Sequence, residues 1–291
     1  MFALTVINNV LDISSDDFNA IRHLVYNAIG VNLTDAKKAL VVSRLSKRVR
    51  DLNLDSFSRY IRHLEVNPAE AGVLFNCVTT NVTSFFREKH HFEYLENTYL
   101  PGLEAFYAKS EKATAKKLRV WSAGCSTGEE PYTLAMVLCN YFKNKKNWQI
   151  KILATDVNTE ALHKGLKGIY SRKESEGIPY DCLKSYFKLG TGPNSGFFKA
   201  NERLQALIDF RQLNLKGSGD YPLSDPCNII FCRNVFIYFD KETRSRILRQ
   251  FHRLLVPGGL LFLGHSESIN TSSEESGRWR LLRHTIYQKQ D

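Results

Sequence analysis

The stretch that decides the fold is Leu118–Ala135, LRVWSAGCSTGEEPYTLA, where an apolar run leads through a glycine-containing loop into a helix pattern. The run Leu118–Ser122 is typical of a short buried strand, and Pro131 suits the first turn of a helix. Such a strand–loop–helix unit lets ligand atoms approach the backbone and the positive end of the helix dipole. The stretch therefore predicts an α/β unit with a ligand site at its loop.

Two acidic residues, Glu129 and Glu130, follow the last glycine of the Gly124–Gly128 loop. A phosphate-binding loop would place Lys and Ser or Thr there, and a dinucleotide fingerprint would read G-x-G-x-x-G. Carboxylates favour a cationic group, such as the amino group of an amino acid, and would repel a pyrophosphate. An ordinary turn whose acids complement the helix dipole is an equally good interpretation of the loop alone.

The composition is that of a globular protein with a basic surface. The 291 residues suffice for one large or two ordinary domains, with 43% hydrophobic and 24% charged residues. The net charge of +10 predicts an acidic partner, which could be nucleic acid, an anionic membrane or an acidic protein.

Cysteine and histidine spacing indicates neither a metal site nor a disulfide framework. The six cysteines include no C-x-x-C pair, and the eight histidines lack metal-binding spacing. We expect His90 and His91 to be surface residues and the thiols to be free in a reducing cytoplasm. The N-terminus has no basic region typical of a signal peptide, and no apolar run reaches membrane-spanning length.

The first part of the chain, from Asp16 to about Leu74, predicts several short helices. Ser14 or Ser15 could cap the first of them. The apolar positions of the first helix are Phe18, Ile21, Leu24 and Val25, and the residues expected on the buried face of the second are Leu40, Val41, Leu45, Val49 and Leu52. The second helix also carries a group of basic residues, Lys37, Arg44, Lys47, Arg48 and Arg50.

From Leu118 onwards, strand and helix patterns alternate, which predicts a doubly wound α/β sheet. The predicted strands are Leu118–Ser122, Ile150–Thr155, Asn228–Cys232 and Leu260–Gly264, and the predicted helices are Pro131–Phe142, Thr159–Leu166 and Lys241–Leu255. The C-terminal segment predicts an antiparallel hairpin at the sheet edge. Tyr170–Leu207 breaks the alternation and is either a strand-containing insertion or a long loop, and Lys109–Lys117 is a polar connection.

Asp156 closes the second predicted strand, KILATD. An acid at this place can hydrogen-bond a ribose hydroxyl, although Asp156 or Asn158 could instead cap the next helix. Together with the acidic glycine loop, Asp156 favours a ligand that has a ribose and a cationic amino group but no phosphate. S-adenosylmethionine is such a ligand.

Three ordered blocks resemble the CheR family of chemotaxis receptor methyltransferases: NVTSFFRE at Asn81–Glu88, WSAGCSTGEEPYTLA at Trp121–Ala135 and FCRNVFIYF at Phe231–Phe239. The resemblance implies a Rossmann-like α/β methyltransferase with a small all-α N-terminal domain and an inserted β-subdomain. It implies a receptor-recognition domain at 1–80, a cofactor-contacting linker at 81–117 and a methyltransferase domain at 118–291, with the insertion at about 170–207.

The resemblance also implies roles for individual residues. Arg87 and Tyr238 would act at the substrate carboxylate and the transferred methyl group, and Asp156 would hold the ribose. Glu129 or Glu130 would bind the methionyl amino group, and the sequence leaves the choice open. The implied cofactor contacts are Asn81, Thr83, Arg87, Gly124, Glu129, Glu130, Asp156, Asn214, Leu215, Arg233 and Asn234. Simpler roles remain for Phe85, Phe86 and Leu215 as core residues and for Arg87 as an ion-pair residue.

The implied reaction is methyl transfer from S-adenosylmethionine to a glutamate carboxylate, leaving S-adenosylhomocysteine. A glutamate is ionised at neutral pH, so the reaction needs no general base. The implied partners are glutamate-rich chemoreceptor helices, which would suit the basic second helix, and a receptor tail peptide on the β-subdomain. We expect a cytoplasmic monomer without nucleic acid or membrane insertion.

Two other functions remain open at this point. A nucleic-acid methyltransferase would suit the charge, although amino-directed enzymes of that kind resemble D/N-P-P-Y where this chain has RNVFIY. A cofactor-binding regulator without turnover is the non-enzymatic alternative.

Overall fold

The computed structural model describes residues 11–109, 116–217, 221, 223, 225–269 and 277–291. The chain divides into two compact units, 1–80 and 81–291. Most of the predicted polar connection at 109–117, and the start of the chain, lie outside the described residues. No helix in the described ranges is long and apolar enough to cross a membrane.

Unit 1–80 is helical over its described residues. Its α-helices are α1 (Ser15–Ile29), α2 (Lys38–Asp51), α3 (Phe57–Val66) and α4 (Glu70–Val78). Ser14 caps α1, because its side chain accepts the N–H of Asp17. The predicted burial of Leu40 is wrong, since it is 38% exposed, and Leu24 is an apolar position of α1 that is 41% exposed. Each lies roughly 100° or more around its helix from the centre of the buried stripe, given about 100° per residue.

Unit 81–291 contains a seven-stranded sheet in the order β6-β2-β1-β7-β8-β10-β9. Its strands are β1 (Lys116–Ala123), β2 (Trp148–Asp156), β6 (Ile208–Gln212), β7 (Cys227–Cys232), β8 (Leu255–Leu263), β9 (Trp279–Arg283) and β10 (Ile286–Lys289). The first five in spatial order are parallel, whereas β10 is antiparallel to both neighbours. The predicted doubly wound sheet and the C-terminal hairpin are therefore confirmed.

The α-helices of this unit precede the sheet or connect its strands. They are α5 (His90–Tyr94), α6 (Leu100–Ala108), α7 (Glu129–Tyr141), α8 (Thr159–Lys167), α9 (Tyr180–Tyr186), α10 (Glu202–Gln205) and α11 (Lys241–Leu254). A π-helical turn, Leu95–Tyr99, joins α5 to α6. Strand β8 begins five residues before the predicted Leu260, because the Pro257–Gly259 segment is accommodated by a register shift against β7.

A second, three-stranded sheet forms in the segment that broke the alternation. It consists of β3 (Ile169–Ser171), β4 (Phe187–Leu189) and β5 (Phe197–Ala200) in the order β3-β5-β4. Both pairings are antiparallel, and a 3₁₀ turn at Gly192–Asn194 connects β4 to β5. The segment is therefore a strand-containing insertion and not a long loop.

The core of the larger unit lies on both faces of the seven-stranded sheet, since successive residues of a strand point to opposite faces. Val120 of β1 belongs to the layer that includes Leu134 of α7. Its neighbour Trp121 belongs to the opposite layer, with Phe251 of α11. This sandwich fixes the carboxyl ends of β1, β2 and β7, where the predicted site residues lie.

Candidate functional site

The loop between β1 and α7 has a backbone that only glycine adopts without strain at two positions. Gly124 has φ +83°, and an added Cβ would lie 2.4 Å from Cγ2 of Val235. Gly128 has φ +98°, and a Cβ there would lie 2.8 Å from both the Cα of Gly165 and the hydroxyl oxygen of Tyr170. The loop is thus packed closely on its neighbours, and its glycines are required by the fold.

Glu130 is a structural residue of this site. It is buried, and both carboxylate oxygens have protein partners. The Ser122 hydroxyl donates to Oε1 at 2.6 Å, and Nε of Arg233 donates to Oε2 at 2.7 Å. The carboxylate therefore neutralises a buried arginine and ties α7 to the end of β7.

Glu129 is also buried, but its carboxylate is only partly satisfied. Its one hydrogen-bond partner among the described residues is the Thr127 hydroxyl, which donates to Oε2 at 2.6 Å. Burial raises the pKa of Glu129, and the Thr127 hydrogen bond and the charge of Lys164 offset only part of that rise. Of the two adjacent acids, Glu129 is the one that a cationic ligand would stabilise.

Asp156 ends β2 beside the same loop. Its Oδ2 accepts the N–H of Ser126 at 2.8 Å, and its Oδ1 accepts the N–H of Asn158 at 2.9 Å. Burial raises the pKa of Asp156, and these backbone donors act against that rise. Asn158 caps α8 by accepting the N–H of Ala161 at 2.8 Å. A carboxylate has about four acceptor sites, so Asp156 can still accept a ligand hydroxyl beside its backbone donors.

The segment that precedes α5 packs directly against the glycine loop and α7. The carbonyl of Asn81 accepts the Ser126 hydroxyl at 3.1 Å, and the N–H of Phe86 donates to the Thr133 hydroxyl at 3.1 Å. Phe85 is buried in the core, as the simpler interpretation expected. The hydrogen bonds place the NVTSFFRE block at the predicted site, with Thr83 half-buried within it.

Arg87 and Arg233 have different environments in this site. A guanidinium N–H of Arg87 donates to the Val82 carbonyl at 2.8 Å, and among the described residues the side chain forms no ion pair. Arg233 is 2% exposed at its side chain and donates to the Arg87 carbonyl at 2.5 Å as well as to Glu130. Arg233 therefore connects the Arg87 segment to α7.

His91 is fully buried, so the prediction of a surface residue is wrong. Its Nδ1 lies 3.2 Å from Arg233, which can only donate, so Nδ1 accepts and Nε2 carries the proton. Nε2 then donates to the Thr285 hydroxyl at 3.0 Å, and that hydroxyl donates to the Leu263 carbonyl. Burial, reinforced by the charge of Arg233, lowers the pKa of His91 to about 2.

Glu267 organises the loops that follow β7 and β8, although sequence reasoning assigned it no role. Its carboxylate accepts the N–H groups of Gly264 at 2.7 Å, Asn234 at 2.8 Å and Ile237 at 3.2 Å. Asn234 is held at φ +59° by this arrangement. Tyr238 is half-buried in the 3₁₀ turn that follows Asn234. Glu267 ends the segment PGGLLFLGHSE at Pro257–Glu267, and this acid shortly after a predicted strand is the signal in the sequence that could have pointed to it.

Asn214 and Leu215 follow β6 at the same edge of the sheet. The side chain of Asn214 accepts the N–H of Lys216 at 2.9 Å. Leu215 is buried in the Trp121 layer, and its carbonyl accepts the Tyr221 hydroxyl at 2.7 Å. The side chain of Leu215 thus packs in the core, as its simpler interpretation expected.

Two family models together match most of the chain. The CheR methyltransferase SAM-binding domain matches residues 81–282, and the CheR methyltransferase all-alpha domain matches residues 16–79. The chain belongs to the CheR methyltransferase family. The expected Rossmann-like fold with an all-α N-terminal domain is confirmed, and the cofactor of this CheR-family enzyme is S-adenosylmethionine.

Curated relatives agree with this family over nearly full length. Chemotaxis protein methyltransferase 2 of Pseudomonas aeruginosa is 40% identical over 261 residues, covering 90% of this chain and 89% of the relative. The chemotaxis protein methyltransferase of Escherichia coli is 40% identical over 280 residues, covering 95% and 92%. That of Borreliella burgdorferi is 38% identical over 263 residues, covering 89% and 90%.

Two of the five basic residues predicted to offer charge to receptor helices are bonded within unit 1–80 of this CheR-family chain. Arg44 donates to the Thr79 carbonyl at 2.7 Å, and Arg48 forms a bidentate pair with the buried carboxylate of Glu70 at 2.8 and 2.6 Å. Arg44 and Arg48 therefore stabilise unit 1–80. Of the remaining predicted residues, Lys37 is half-buried, whereas Lys47 and Arg50 are exposed.

Proposed function

We propose that this protein transfers methyl groups from S-adenosylmethionine to glutamate side chains of chemoreceptors, forming methyl esters that adapt chemotaxis signalling. The observation that carries the proposal is a pair of acids beside the glycine loop, Glu129 and Asp156, in a chain of the CheR methyltransferase family. Glu129 has acceptor capacity left for a cation, and Asp156 has it for hydroxyl groups. The pair matches the two polar ends of an S-adenosylmethionine molecule.

The proposed binding site for the methyl donor, S-adenosylmethionine, is called the donor site and is built from the loop residues described above. Glu129 binds the methionyl ammonium, Asp156 binds the ribose hydroxyls, and Gly124 allows close approach to the backbone. When bound, S-adenosylmethionine supplies a methyl group activated by a positively charged sulfonium. The remaining contacts proposed from the family pattern are Asn81, Thr83, Asn214, Leu215, Arg233 and Asn234. Glu130 contributes indirectly, because it holds Arg233.

Catalysis rests on orientation, because the acceptor carboxylate is already an anion at neutral pH. In this proposal Arg87 orients it, which is supported by its unused donors: among the described residues the Val82 carbonyl engages one of its N–H groups, and a guanidinium has five. Two parallel charge-assisted hydrogen bonds would fix the plane of the carboxylate. Tyr238 lies near the transferred methyl in this proposal.

Receptor recognition is assigned to two other surfaces. The exposed cations Lys47 and Arg50 of α2, with Lys37 beside it, offer charge complementary to glutamate-rich helices. The inserted sheet β3-β5-β4 has strand edges that a receptor tail peptide could extend by strand addition. We propose that the protein acts as a monomer in the cytoplasm, where its free thiols remain reduced.

A labelling experiment tests the function against its alternatives. The protein is incubated with methyl-labelled S-adenosylmethionine and, separately, with receptor-containing membranes or total RNA. We expect label on receptor protein and none on RNA. Label on RNA would support the nucleic-acid enzyme, and cofactor binding without transfer to either acceptor would support the regulator.

A further inference from the structure

Tyr170 of the inserted sheet reaches the glycine loop of the donor site. It lies in β3, paired with Phe198 of β5, and its side chain is fully buried. Its hydroxyl donates to the Thr127 carbonyl at 2.9 Å. A residue of the insertion thus forms a direct hydrogen bond with the loop between β1 and α7.

Thr127 links Tyr170 to Glu129, the acid that is proposed to bind the ammonium group. Its backbone carbonyl accepts from Tyr170, while its side-chain hydroxyl donates to Oε2 of Glu129 at 2.6 Å. Gly128 lies between Thr127 and Glu129 in the sequence. A Cβ at this position would lie 2.8 Å from the Tyr170 hydroxyl oxygen, which leaves no room for a side chain. The orientation of Glu129 therefore depends on a backbone position that Tyr170 restrains.

The Tyr170 ring is itself rigidly held. Phe85 packs edge-on against it with ring centroids 4.9 Å apart, and Tyr132 does so at 5.9 Å. Burial raises the pKa of Tyr170 well above its usual value, and the nearby charge of Glu129 adds to that rise. The phenol therefore keeps its proton and remains a donor to Thr127.

We propose that Tyr170 is a positioning residue through which the inserted sheet sets the affinity of the donor site: it restrains Thr127, and Thr127 orients Glu129 towards the ammonium of S-adenosylmethionine. This inference rests on the proposed donor role of Glu129. It predicts an effect confined to the amino-acid half of the cofactor, because the Asp156 side of the site uses other backbone donors.

The test compares two ligands on the same variants by calorimetry. S-adenosylhomocysteine carries the amino-acid half, whereas 5′-methylthioadenosine lacks it. We expect Tyr170→Phe to weaken the first about five-fold, which corresponds to about 1 kcal/mol for one buried hydrogen bond, and to leave the second unchanged. The matched control is Tyr186→Phe, which removes a partly buried hydrogen bond from the same insertion to Asn140, at 2.6 Å. It should change neither affinity.

Glu129→Gln and the double variant complete the cycle. Glu129→Gln should selectively weaken S-adenosylhomocysteine at least about tenfold, and adding Tyr170→Phe should produce little further loss. Equal loss of both ligands in Tyr170→Phe, loss of neither, or full additivity would overturn the inference while leaving the ammonium assignment of Glu129 intact. An unchanged Glu129→Gln would refute that assignment, and the inference with it.

Discussion

Glu130→Gln should destabilise unit 81–291, although the same change at the adjacent Glu129 should not. The Arg233 side chain is 2% exposed and that of Glu130 is 9% exposed, so the substitution leaves a buried cation without its main partner. Breaking a buried ion pair costs about 3–5 kcal/mol. Glu88 lies 3.7 Å from Arg233, and a Gln can still accept one hydrogen bond. We therefore expect the free energy of unfolding to fall by about 2–3 kcal/mol, which is no more than the lower limit for a broken buried ion pair.

Tryptophan fluorescence during urea unfolding measures this loss, because all three tryptophans lie in unit 81–291. The free energy of unfolding from the urea midpoint should fall in Glu130→Gln, with Tm lower by roughly 4–12 °C. Glu129→Gln is the matched control and should be unchanged or slightly more stable, because it removes a buried charge whose pKa burial raises. Equal losses in the two variants, or a loss below about 1 kcal/mol in Glu130→Gln, would refute the division of roles.

Four further predictions concern binding, pH and turnover. Because burial raises the pKa of Glu129, affinity for S-adenosylhomocysteine should fall as the pH is lowered from 7, relative to that for 5′-methylthioadenosine, and a constant ratio would argue against Glu129 as the ammonium ligand. Because the pKa of His91 is lowered to about 2, the unfolded chain takes up a proton below pH 6.5 that the folded chain does not. The free energy of unfolding should therefore lose about 1.4 kcal/mol per pH unit below 6.5 from this group, a slope that His91→Asn should remove. Arg87→Ala should lower kcat at least about a hundredfold with little change in cofactor Kd, and equal losses would contradict its orienting role. Charge reversal at Lys47 and Arg50 should raise the receptor KM without changing cofactor Kd, and an unchanged KM would show that these cations are only a solvated helix face.

The sequence predicts the parts of this site that depend on local chemistry. The Leu118–Ala135 stretch carries its own strand, glycine loop and helix signals, and Asp156 follows the next strand at the matching edge. The structure brings them together because parallel strands align their carboxyl ends. Phe85 could also be assigned to the core from its apolar character alone.

What the sequence left open depends on partners far away along the chain. Glu129 and Glu130 share a residue type and one helical turn, and they differ only because Arg233, 103 residues later, pairs with one of them. The buried His91 forms its hydrogen bond with Thr285, which lies 194 residues away. For the same reason the sequence does not show that Arg48 is an ion-pair residue, because its partner Glu70 lies 22 residues later.

The chemical bond formed by the labelled methyl group tests the central claim most directly. Receptor protein methylated by this enzyme is digested, and each labelled peptide is sequenced by mass spectrometry before and after mild alkali. We predict methyl groups on glutamate side chains that alkali releases as methanol, as expected for carboxylate esters. Alkali-stable methyl groups on lysine, arginine or any other nitrogen would contradict the account.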